Sequence, residues 1–210
     1  VKAHYDKAEY MIPMRDGVKL FTQVYTPKDT SQKYPILLSR TPYSVNPYGL
    51  DTFRTRLGPF EEFDRSLYIF VFQDVRGRYM SEGEFVHMTP QKAVKHGPAD
   101  VDESTDTYDT IDWLIKNIPP NNGRVGIWGG SYVGFFAAAG TINAHPALKA
   151  ASPQAPQADW FMGDDTHHNG AFFLTSLFNF MAGNGRRRPT PTTERGQPFR
   201  LGTPDGYQFF

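Results

Sequence analysis

A single serine stands among glycines in the stretch 123-GRVGIWGGSYVGFFAAAG-140, and its setting is typical of a nucleophile. The apolar run before Ser131 predicts a strand, and the alanine-rich run after it predicts a helix. A sharp turn between a strand and a helix lifts a serine hydroxyl clear of the sheet, and neighbouring glycines let the two elements approach closely. The backbone N–H of the next residue, Tyr132, can then donate to an oxyanion at the helix N-terminus.

The same stretch departs from the usual G-x-S-x-G pattern at one position. Val133 occupies the place of the second glycine, and the glycine follows as Gly134. The alternative to a nucleophile is a glycine-rich turn that binds phosphate. The stretch contains no lysine for a phosphate-cradling loop and does not match G-x-G-x-x-G, so the pattern favours Ser131 as a nucleophile.

The elements that would position Ser131 alternate between strands and helices. Two strands are predicted around the Asp16-Gly17 turn, because Asp-Gly between apolar runs favours a hairpin. Beyond the hairpin, strands are predicted within 34–43, 67–78, 124–129 and 148–156, and helices at 105–118, 132–143 and 171–182, the last of them buried. This order predicts an α/β fold, with a mostly parallel sheet and helices on both faces.

Ligands of such sheets bind at the carboxyl ends of the strands, and several polar residues fall at that edge. They are Tyr43, Asp74, Ser131 and the acidic segment 159–165. Asp74 and Arg76 are expected to hold a loop near this edge by an ion pair. His87 is interpreted as an ordinary loop histidine.

Composition and charge exclude several other classes of function. Lys plus Arg and Asp plus Glu both number 22, so the chain has no net charge with which to attract nucleic acid or an anionic membrane. No apolar run reaches the ~20 residues needed to cross a bilayer, and the first residues lack the apolar core of a signal peptide. Cysteine is absent, which excludes disulfides and thiolate metal sites. Composition and charge therefore indicate neither nucleic acid nor a membrane as a partner.

Several segments resemble one group of α/β-hydrolases. The stretch 129-GGSYVG-134 fits the G-x-S-Y-x-G of a group that contains cocaine-esterase-like hydrolases, X-Pro dipeptidyl peptidases and α-amino acid ester hydrolases. The segments 39-SRTPYS-44 and 73-QDVRGRYMSEGEF-85 are similar to that group, and 159-DWFMGDDTHHNGAF-172 looks like its α-amino acid ester hydrolase branch in particular. The similarity runs from about residue 5 to the end of the chain and implies an α/β-hydrolase fold.

The resemblance also implies roles for individual residues around the nucleophile Ser131. In that family the oxyanion is held by the backbone N–H that follows the serine, here Tyr132, and by a tyrosine hydroxyl that matches Tyr43. Carboxylates hold the substrate's α-ammonium, because an unpaired cation in a desolvated pocket is unstable; Asp165 matches the first of them and Asp164 is a neighbouring candidate. Two alternatives stay open: Tyr43 as an ordinary tyrosine at a strand end, and the two aspartates as caps of the following helix. No metal or organic cofactor is implied.

Ser131 also needs a base. In this fold the base is a His that an Asp or Glu orients, and both follow the serine in the chain, the acid before the His. The histidines that follow Ser131 are His145, His167 and His168. The family places its acid and base beyond residue 210 instead. We therefore expect the triad partners to be absent from this chain, and the chain to be the N-terminal part of a longer hydrolase, without the last strands of its sheet.

The expected activity is that of a serine hydrolase or acyltransferase that acts on α-amino acid esters and β-lactam-type amides through an acyl-enzyme. One alternative is an X-Pro dipeptidyl peptidase or broad-specificity esterase of the same family, and another is a non-catalytic fragment that lacks the triad Asp and His. The resemblance further implies a small-molecule ester or amide substrate as the partner, a homo-oligomer, and a periplasmic or secreted location. Residues 1–183 are predicted as the hydrolase part, and 184–210 as the start of a cap region or linker.

Overall fold

The computed structural model describes residues 1–65, 67–163, 165–185, 188–197, 199–203 and 205–210. Its strands are β1 (Tyr5–Pro13), β2 (Lys19–Pro27), β3 (Tyr34–Thr41), β4 (Ile69–Asp74), β5 (Asn121–Gly130), β6 (Leu148–Gln154), β7 (His167–His168) and β8 (Ala171–Phe172). Its helices are α1 (Glu61–Arg65), α2 (Glu103–Asn117), α3 (Tyr132–Ala139), α4 (Leu174–Asn184) and α5 (Gly206–Phe209). Six strands form one sheet in the order β1-β2-β4-β3-β5-β6, and β7 and β8 form a separate hairpin.

The six-stranded sheet is mixed but mostly parallel. The hairpin of β1 and β2 is antiparallel and joins β4 in antiparallel register, whereas β4, β3, β5 and β6 run parallel to one another. The hairpin turns at Gly17, whose φ of 88° suits glycine. β4 is buried along its whole length, as a continuous apolar run in a parallel strand predicts. The predicted α/β fold, with its N-terminal hairpin and the later parallel strands, is confirmed.

The sheet carries a hydrophobic core on each face, because alternate residues of a strand point to opposite sides. One cluster joins the sheet to α2 and α3 and includes Ile36, Leu38, Val71, Ile111, Leu114 and Ala137. The other joins the sheet to the loop after β3 and to α1, and includes Val45, Leu57, Phe70 and Phe72, with partly buried Leu37 and Phe63. Helices thus lie on both faces, although α1 is short.

Arg40, near the carboxyl end of β3, is buried and bonded to its neighbours on both sides. Its Nε donates to Oε1 of Gln73 on β4 at 2.7 Å. Its Nη1 donates to Oε2 of Glu103 at 3.0 Å and to the hydroxyl of Thr107 at 2.9 Å, both on α2. The guanidinium carbon also lies 5.9 Å from the ring centroid of Phe136 on α3. A buried charge is tolerated when it is paired in this way, so Arg40 fixes four elements at one end of the sheet.

The segment after β6 differs from the predicted buried helix over 171–182. His167–His168 and Ala171–Phe172 pair as a hairpin around Asn169-Gly170, whose φ angles are 49° and 82°. Asn-Gly strongly favours such a two-residue turn, and the turn removes the first residues from the helix. α4 therefore begins at Leu174, and none of its residues is fully buried, because it packs on the core from one side, through Phe180.

Helix α3 is shorter than predicted. It ends at Ala139 rather than at 143, residues 141–143 form turns, and Asn143 has a positive φ of 51° that a helix does not accommodate. The proposed division between 183 and 184 stays a prediction, and α4 continues to Asn184. None of the helices in the described ranges is long and apolar enough to cross a membrane.

Helix α2 begins with a reciprocal pair of capping hydrogen bonds. The Thr105 N–H donates to Oδ1 of Asp102 at 3.0 Å, and the Asp102 N–H donates to the Thr105 hydroxyl at 2.9 Å. The ammonium of Lys95 lies 2.9 Å from the same carboxylate. Burial raises the pKa of Asp102, because it disfavours the charged form. The hydrogen bonds from Lys95 and from the backbone donors have the larger combined effect and lower the pKa to about 2.

Replacing Asp102 by alanine is expected to lower the free energy of unfolding by about 1–2 kcal/mol, since it removes this cap. Because the pKa of Asp102 is depressed in the folded state, its contribution is complete above the ordinary value of 3.8 and is lost as the pH falls toward 2. Urea unfolding measures this. The difference in the free energy of unfolding between wild type and Asp102→Ala should be smaller at about pH 3 than at neutral pH.

The matched control is Asp112→Ala on the same helix, where Asp112 pairs with Lys116 near the surface. This variant should unfold within about 0.5 kcal/mol of wild type. Equal losses in the two variants would contradict the capping role of Asp102.

Candidate active site

Ser131 lies at the turn between β5 and α3. Its backbone has φ 55° and ψ −123°, a conformation that residues other than glycine rarely adopt. The Ser131 N–H donates to the carbonyl of Gln154 at the end of β6, at 2.9 Å, and the Ser131 carbonyl accepts from the Phe135 N–H at 3.0 Å. Strain of this kind costs about 1–3 kcal/mol and is concentrated at functional sites. The predicted order of strand, turn and helix is present, with the serine in the strained position.

Close packing of α3 on the strand ends explains where the glycines stand. A Cβ atom added to Gly134 would lie 2.7 Å from the carbonyl oxygen of Gln154 and 3.1 Å from that of Gly129. A side chain at position 134 would therefore push the helix away from the sheet. Val133 stands where the usual motif has glycine, and it packs against Gly129, where an added Cβ would lie 2.4 Å from Cγ1 of Val133. The bare backbone of Gly129 thus leaves room for the valine.

A cavity of about 310 Å³ opens beside Ser131. Its walls include Ser131, Tyr132, Tyr43, Asp165, His87 and Phe180. Four of the five residues singled out from the sequence thus line one cavity, while Asp164 lies outside the described residues. In the part of the chain that the structure describes, no group of three or more His, Asp or Glu side chains is arranged to hold a metal ion.

Tyr43 follows β3 and is partly buried in the cavity wall. Its ring meets the ring of Tyr132 edge-on, with the centroids 5.9 Å apart, which is a favourable aromatic arrangement. Burial raises the pKa of Tyr43, against a smaller opposing effect of Arg78. The phenol is therefore protonated at neutral pH and can donate a hydrogen bond.

The loop that carries Tyr43 is fastened by Asp74. The buried carboxylate accepts from the Val45 N–H at 3.0 Å and from the Tyr48 hydroxyl at 2.9 Å. Burial raises the pKa of Asp74 to about 7, against the effect of these hydrogen bonds. The position of Tyr43 thus depends on a carboxylate at the end of the neighbouring strand.

Arg76 does not hold this loop as the sequence suggested. Its guanidinium pairs with Asp16 in the turn of the N-terminal hairpin and with Asp106 on α2, each at 2.7 Å. The expected ion pair with Asp74 is wrong because Arg76 faces α2, whereas Asp74 faces the loop after β3. Asp74 holds that loop by hydrogen bonds.

Asp165 lies at the exposed rim of the cavity. Its Oδ2 accepts a hydrogen bond from Nε2 of Gln157, which also lines the cavity, at 3.1 Å. The N-cap position of α4 is Phe173, so Asp165 does not cap that helix. A carboxylate at the rim is suited to contact a cationic group of a bound molecule.

His87 lines the cavity, although its residue type and spacing do not predict a place in the site. It lies on a loop, as expected, but its Nδ1 is 2.9 Å from the hydroxyl oxygen of Tyr132 and its ring forms part of the cavity wall. No motif or spacing marks His87. The apolar neighbours in 85-FVHM-88 are the one signal in the sequence that could have indicated a buried setting.

None of the three histidines that follow Ser131 lines this cavity. Nδ1 of His167 lies 2.7 Å from the carbonyl oxygen of Trp160, and His168 is the neighbouring residue of β7. His145 packs against the ring of Tyr108 on α2, with the centroids 4.8 Å apart. The expectation that the triad partners lie outside this chain stays a prediction.

The mostly parallel sheet, with a serine in a strained turn between the parallel strand β5 and a helix, is the architecture of an α/β-hydrolase. The model of the X-Pro dipeptidyl-peptidase (S15) family matches residues 16–202. The chain belongs to this family of hydrolases, as the resemblance predicted.

Similar proteins include both esterases and peptidases. Cocaine esterase from Rhodococcus sp. (strain MB1 Bresler) is 33% identical over 172 residues, which cover 82% of this chain and 27% of that protein. The crystal structure of an aminopeptidase from the marine sediment archaeon Thaumarchaeota archaeon is 40% identical, with a TM-score of 0.80, over 98% of this chain and 33% of that one. An α-amino acid ester hydrolase structure is 39% identical, with a TM-score of 0.80, over 99% and 33% respectively. The chain thus spans a third or less of the length of these proteins.

Replacing Gly134 by alanine is expected to lower the free energy of unfolding by about 1–3 kcal/mol, because the new Cβ overlaps the Gln154 carbonyl. The loss should appear even though alanine is the better helix former. The matched control is Gly183→Ala on α4, where an added Cβ meets nothing within 4 Å. That variant should be neutral or up to about 1 kcal/mol more stable. Urea midpoints that shift alike in both variants would disprove the close-packing argument.

Proposed function

We propose that the protein is a serine hydrolase that cleaves esters or amides through an acyl-enzyme on Ser131. The observation that carries this proposal is the positive φ of Ser131 between β5 and α3, in a cavity that also contains Tyr43 and Tyr132. This conformation places a side chain away from the sheet at the start of a helix, as the chemistry of a nucleophilic serine requires. Membership of a hydrolase family supports the class of reaction.

In the proposed reaction Oγ of Ser131 attacks the carbonyl carbon of the substrate, and the π electrons move to the carbonyl oxygen. The Tyr132 N–H and the Tyr43 hydroxyl donate to this oxyanion, at a helix N-terminus whose dipole favours negative charge. Collapse of the tetrahedral species breaks the bond to the alcohol or amine, which leaves with a proton, and an ester remains on Ser131. Water then hydrolyses the ester, or an amine accepts the acyl group.

The base that takes the proton of Ser131 is proposed to be a histidine, oriented by a carboxylate, outside this stretch of sequence. The histidines between Ser131 and residue 210 do not line the cavity. The aminopeptidase and the α-amino acid ester hydrolase both extend well beyond the third of their length that this chain matches. A base from that further part of a longer protein is compatible with the cavity beside Ser131.

The proposed substrates are α-amino acid esters and β-lactam-type amides with a free α-amine. Asp165 supports this choice, because a carboxylate at the cavity rim can pair with an ammonium while the acyl carbon is at Ser131. Phe173 and Phe180 supply an apolar wall for the acyl side chain. The names of two relatives, an aminopeptidase and an α-amino acid ester hydrolase, both refer to substrates with an amino group.

A second candidate function is a broader esterase or an X-Pro dipeptidyl peptidase, favoured by the similarity to cocaine esterase and by the family description. A non-catalytic role is the third, and it would keep the cavity without an activated serine. Reactivity of Ser131 separates the third candidate from the others, and dependence of ester hydrolysis on the α-amine separates the first candidate from a broader esterase. Release of an X-Pro dipeptide rather than a single amino acid separates the first candidate from the peptidase. In each case the partner is a small molecule, and assembly into a homo-oligomer is a proposal from resemblance.

A fluorophosphonate probe is expected to form one adduct on Ser131 of the whole protein, because such probes react with activated serines. Ser131→Ala should lose the adduct and at least about 10³-fold in kcat/KM for ester hydrolysis. Ser176→Ala is the control, since Ser176 lines the same cavity and should leave labelling intact. Intact mass and peptide mapping measure both, and an unlabelled wild-type protein would leave the non-catalytic candidate standing.

Asp165→Asn is expected to raise KM by about tenfold or more for a phenylglycine ester, because it removes the charge that pairs with the α-ammonium. Hydrolysis of the matching phenylacetic ester, which lacks that amine, should change less than about twofold. Asp159→Asn is the control, since the Asp159 carboxylate accepts from the backbone N–H groups of Phe161 and Met162. Equal effects on the two esters would contradict recognition of the amine by Asp165.

A further inference from the structure

We propose that His87 is a positioning residue of the oxyanion hole, acting through the side chain of Tyr132. This inference rests on the proposed function of Ser131 and Tyr132. It concerns a contact between two residues far apart in the chain, since the hydroxyl of Tyr132 lies 2.9 Å from Nδ1 of His87 across 45 positions. The side chain of Tyr132 is buried, so this polar contact forms away from bulk water.

A second hydrogen bond determines how the protons are arranged. The Met88 N–H donates to the hydroxyl oxygen of Tyr132 at 3.0 Å. In the proposed arrangement the phenol donates its one proton to Nδ1 of His87, while its oxygen accepts from the Met88 N–H. Nδ1 must then be unprotonated, and the proton of the neutral imidazole is on Nε2.

The surroundings of His87 support this neutral form. Its ring contacts the rings of Tyr132, Trp160 and Phe180, with centroids 5.0, 5.8 and 5.7 Å away. Burial lowers the pKa of His87, and the positive charge of Arg78 lowers it further. Protonation would also replace the acceptor of the phenol by a donor. His87 is therefore a fixed acceptor in an aromatic setting.

This arrangement excludes His87 as the missing base of Ser131. Nδ1 is occupied by the phenol proton, and Nε2 carries a proton of its own, so neither nitrogen is available to accept the proton of the serine. Its chemical use is to hold the phenol of Tyr132 in one place.

The phenol belongs to the residue that carries one proposed oxyanion donor, and its ring lies against the residue that carries the other. The backbone N–H of Tyr132 is the first donor, and the ring of Tyr132 packs edge-on against Tyr43, whose hydroxyl is the second. The Tyr132 ring also stacks on Phe136 one turn along α3, with centroids 5.1 Å apart and planes at 15°. Without the bond to His87, the Tyr132 ring can shift, and the donors lose alignment with the oxyanion. Misplaced donors weaken the transition state more than the bound substrate, so kcat falls while KM changes little.

The test compares His87→Phe, which keeps a ring but removes the acceptor, with His87→Asn, whose Oδ1 can accept in place of Nδ1. For ester hydrolysis by the whole protein, His87→Phe should lose about tenfold to a hundredfold in kcat, with KM within about twofold of wild type. His87→Asn should recover most of that loss. His96→Phe, at an exposed loop histidine, is the matched control and should behave as wild type.

A double-mutant cycle with Tyr132→Phe separates positioning from a general effect on folding. If His87 acts through the phenol, adding His87→Phe to Tyr132→Phe should lower kcat less than about twofold further. The proposal would be overturned if the fold-losses in kcat of the two single variants multiplied in the double variant, or if His87→Phe left kcat unchanged. NMR of protein with ¹⁵N-labelled histidine gives an activity-independent readout, and a proton on Nδ1 of His87 rather than on Nε2 would also overturn it.

The outcomes for the two proposals differ. A wild-type protein without a fluorophosphonate adduct overturns the proposed function, and with it the role of His87. A wild-type protein that forms the adduct, combined with full activity in His87→Phe, overturns the role of His87 alone.

Discussion

The close approach of α3 to the ends of β5 and β6 is the constraint on which the site depends. The chain must pass from the strand into the helix within one residue, so Ser131 takes a positive φ of 55°. A residue with a side chain resists that conformation by about 1–3 kcal/mol, and it persists only where neighbouring contacts enforce it. Those contacts are the hydrogen bond from Ser131 to Gln154 and the bare backbone of Gly134 against the same carbonyl. The strained backbone of Ser131 and the glycine at position 134 thus have the same cause, which is the close packing of α3 on the ends of β5 and β6.

Buried polar groups, and not apolar packing alone, hold the carboxyl ends of the neighbouring strands β3 and β4. Arg40 joins β3, β4 and α2, and Asp74 holds the loop that carries Tyr43. Burial raises the pKa of Glu103, against the pull of its partner Arg40, and raises that of Asp74. Such groups are destabilising unless their hydrogen bonds are nearly complete, so small displacements are costly.

Most of the fold could be predicted because its signals are local in the sequence. The Asp16-Gly17 turn, the apolar strands and the order of strand, glycines, serine and helix each depend on adjacent residues. The prediction failed where two local signals compete, as in 171–182, where Asn169-Gly170 forms a hairpin ahead of an apolar helix. It also failed where the signal is not local, since nothing near His87 in the sequence refers to Tyr132. The roles of Tyr43 and Asp165 came from family resemblance, because residue type and spacing alone leave them open.

The residues proposed for the chemistry and those proposed for specificity lie in different parts of the chain, the first buried and the second exposed. Tyr43 and Tyr132 belong to the buried edge of the sheet and are held by ring contacts and hydrogen bonds. Asp165 and Phe173 belong to the exposed segment after β6, which consists of a short hairpin and a half-exposed helix. Substitutions in an exposed segment alter contacts to a ligand with little effect on the core, whereas substitutions at the edge disturb folding and chemistry together. A fold built in this way can retain one mode of carbonyl attack while the acyl group that it accepts changes.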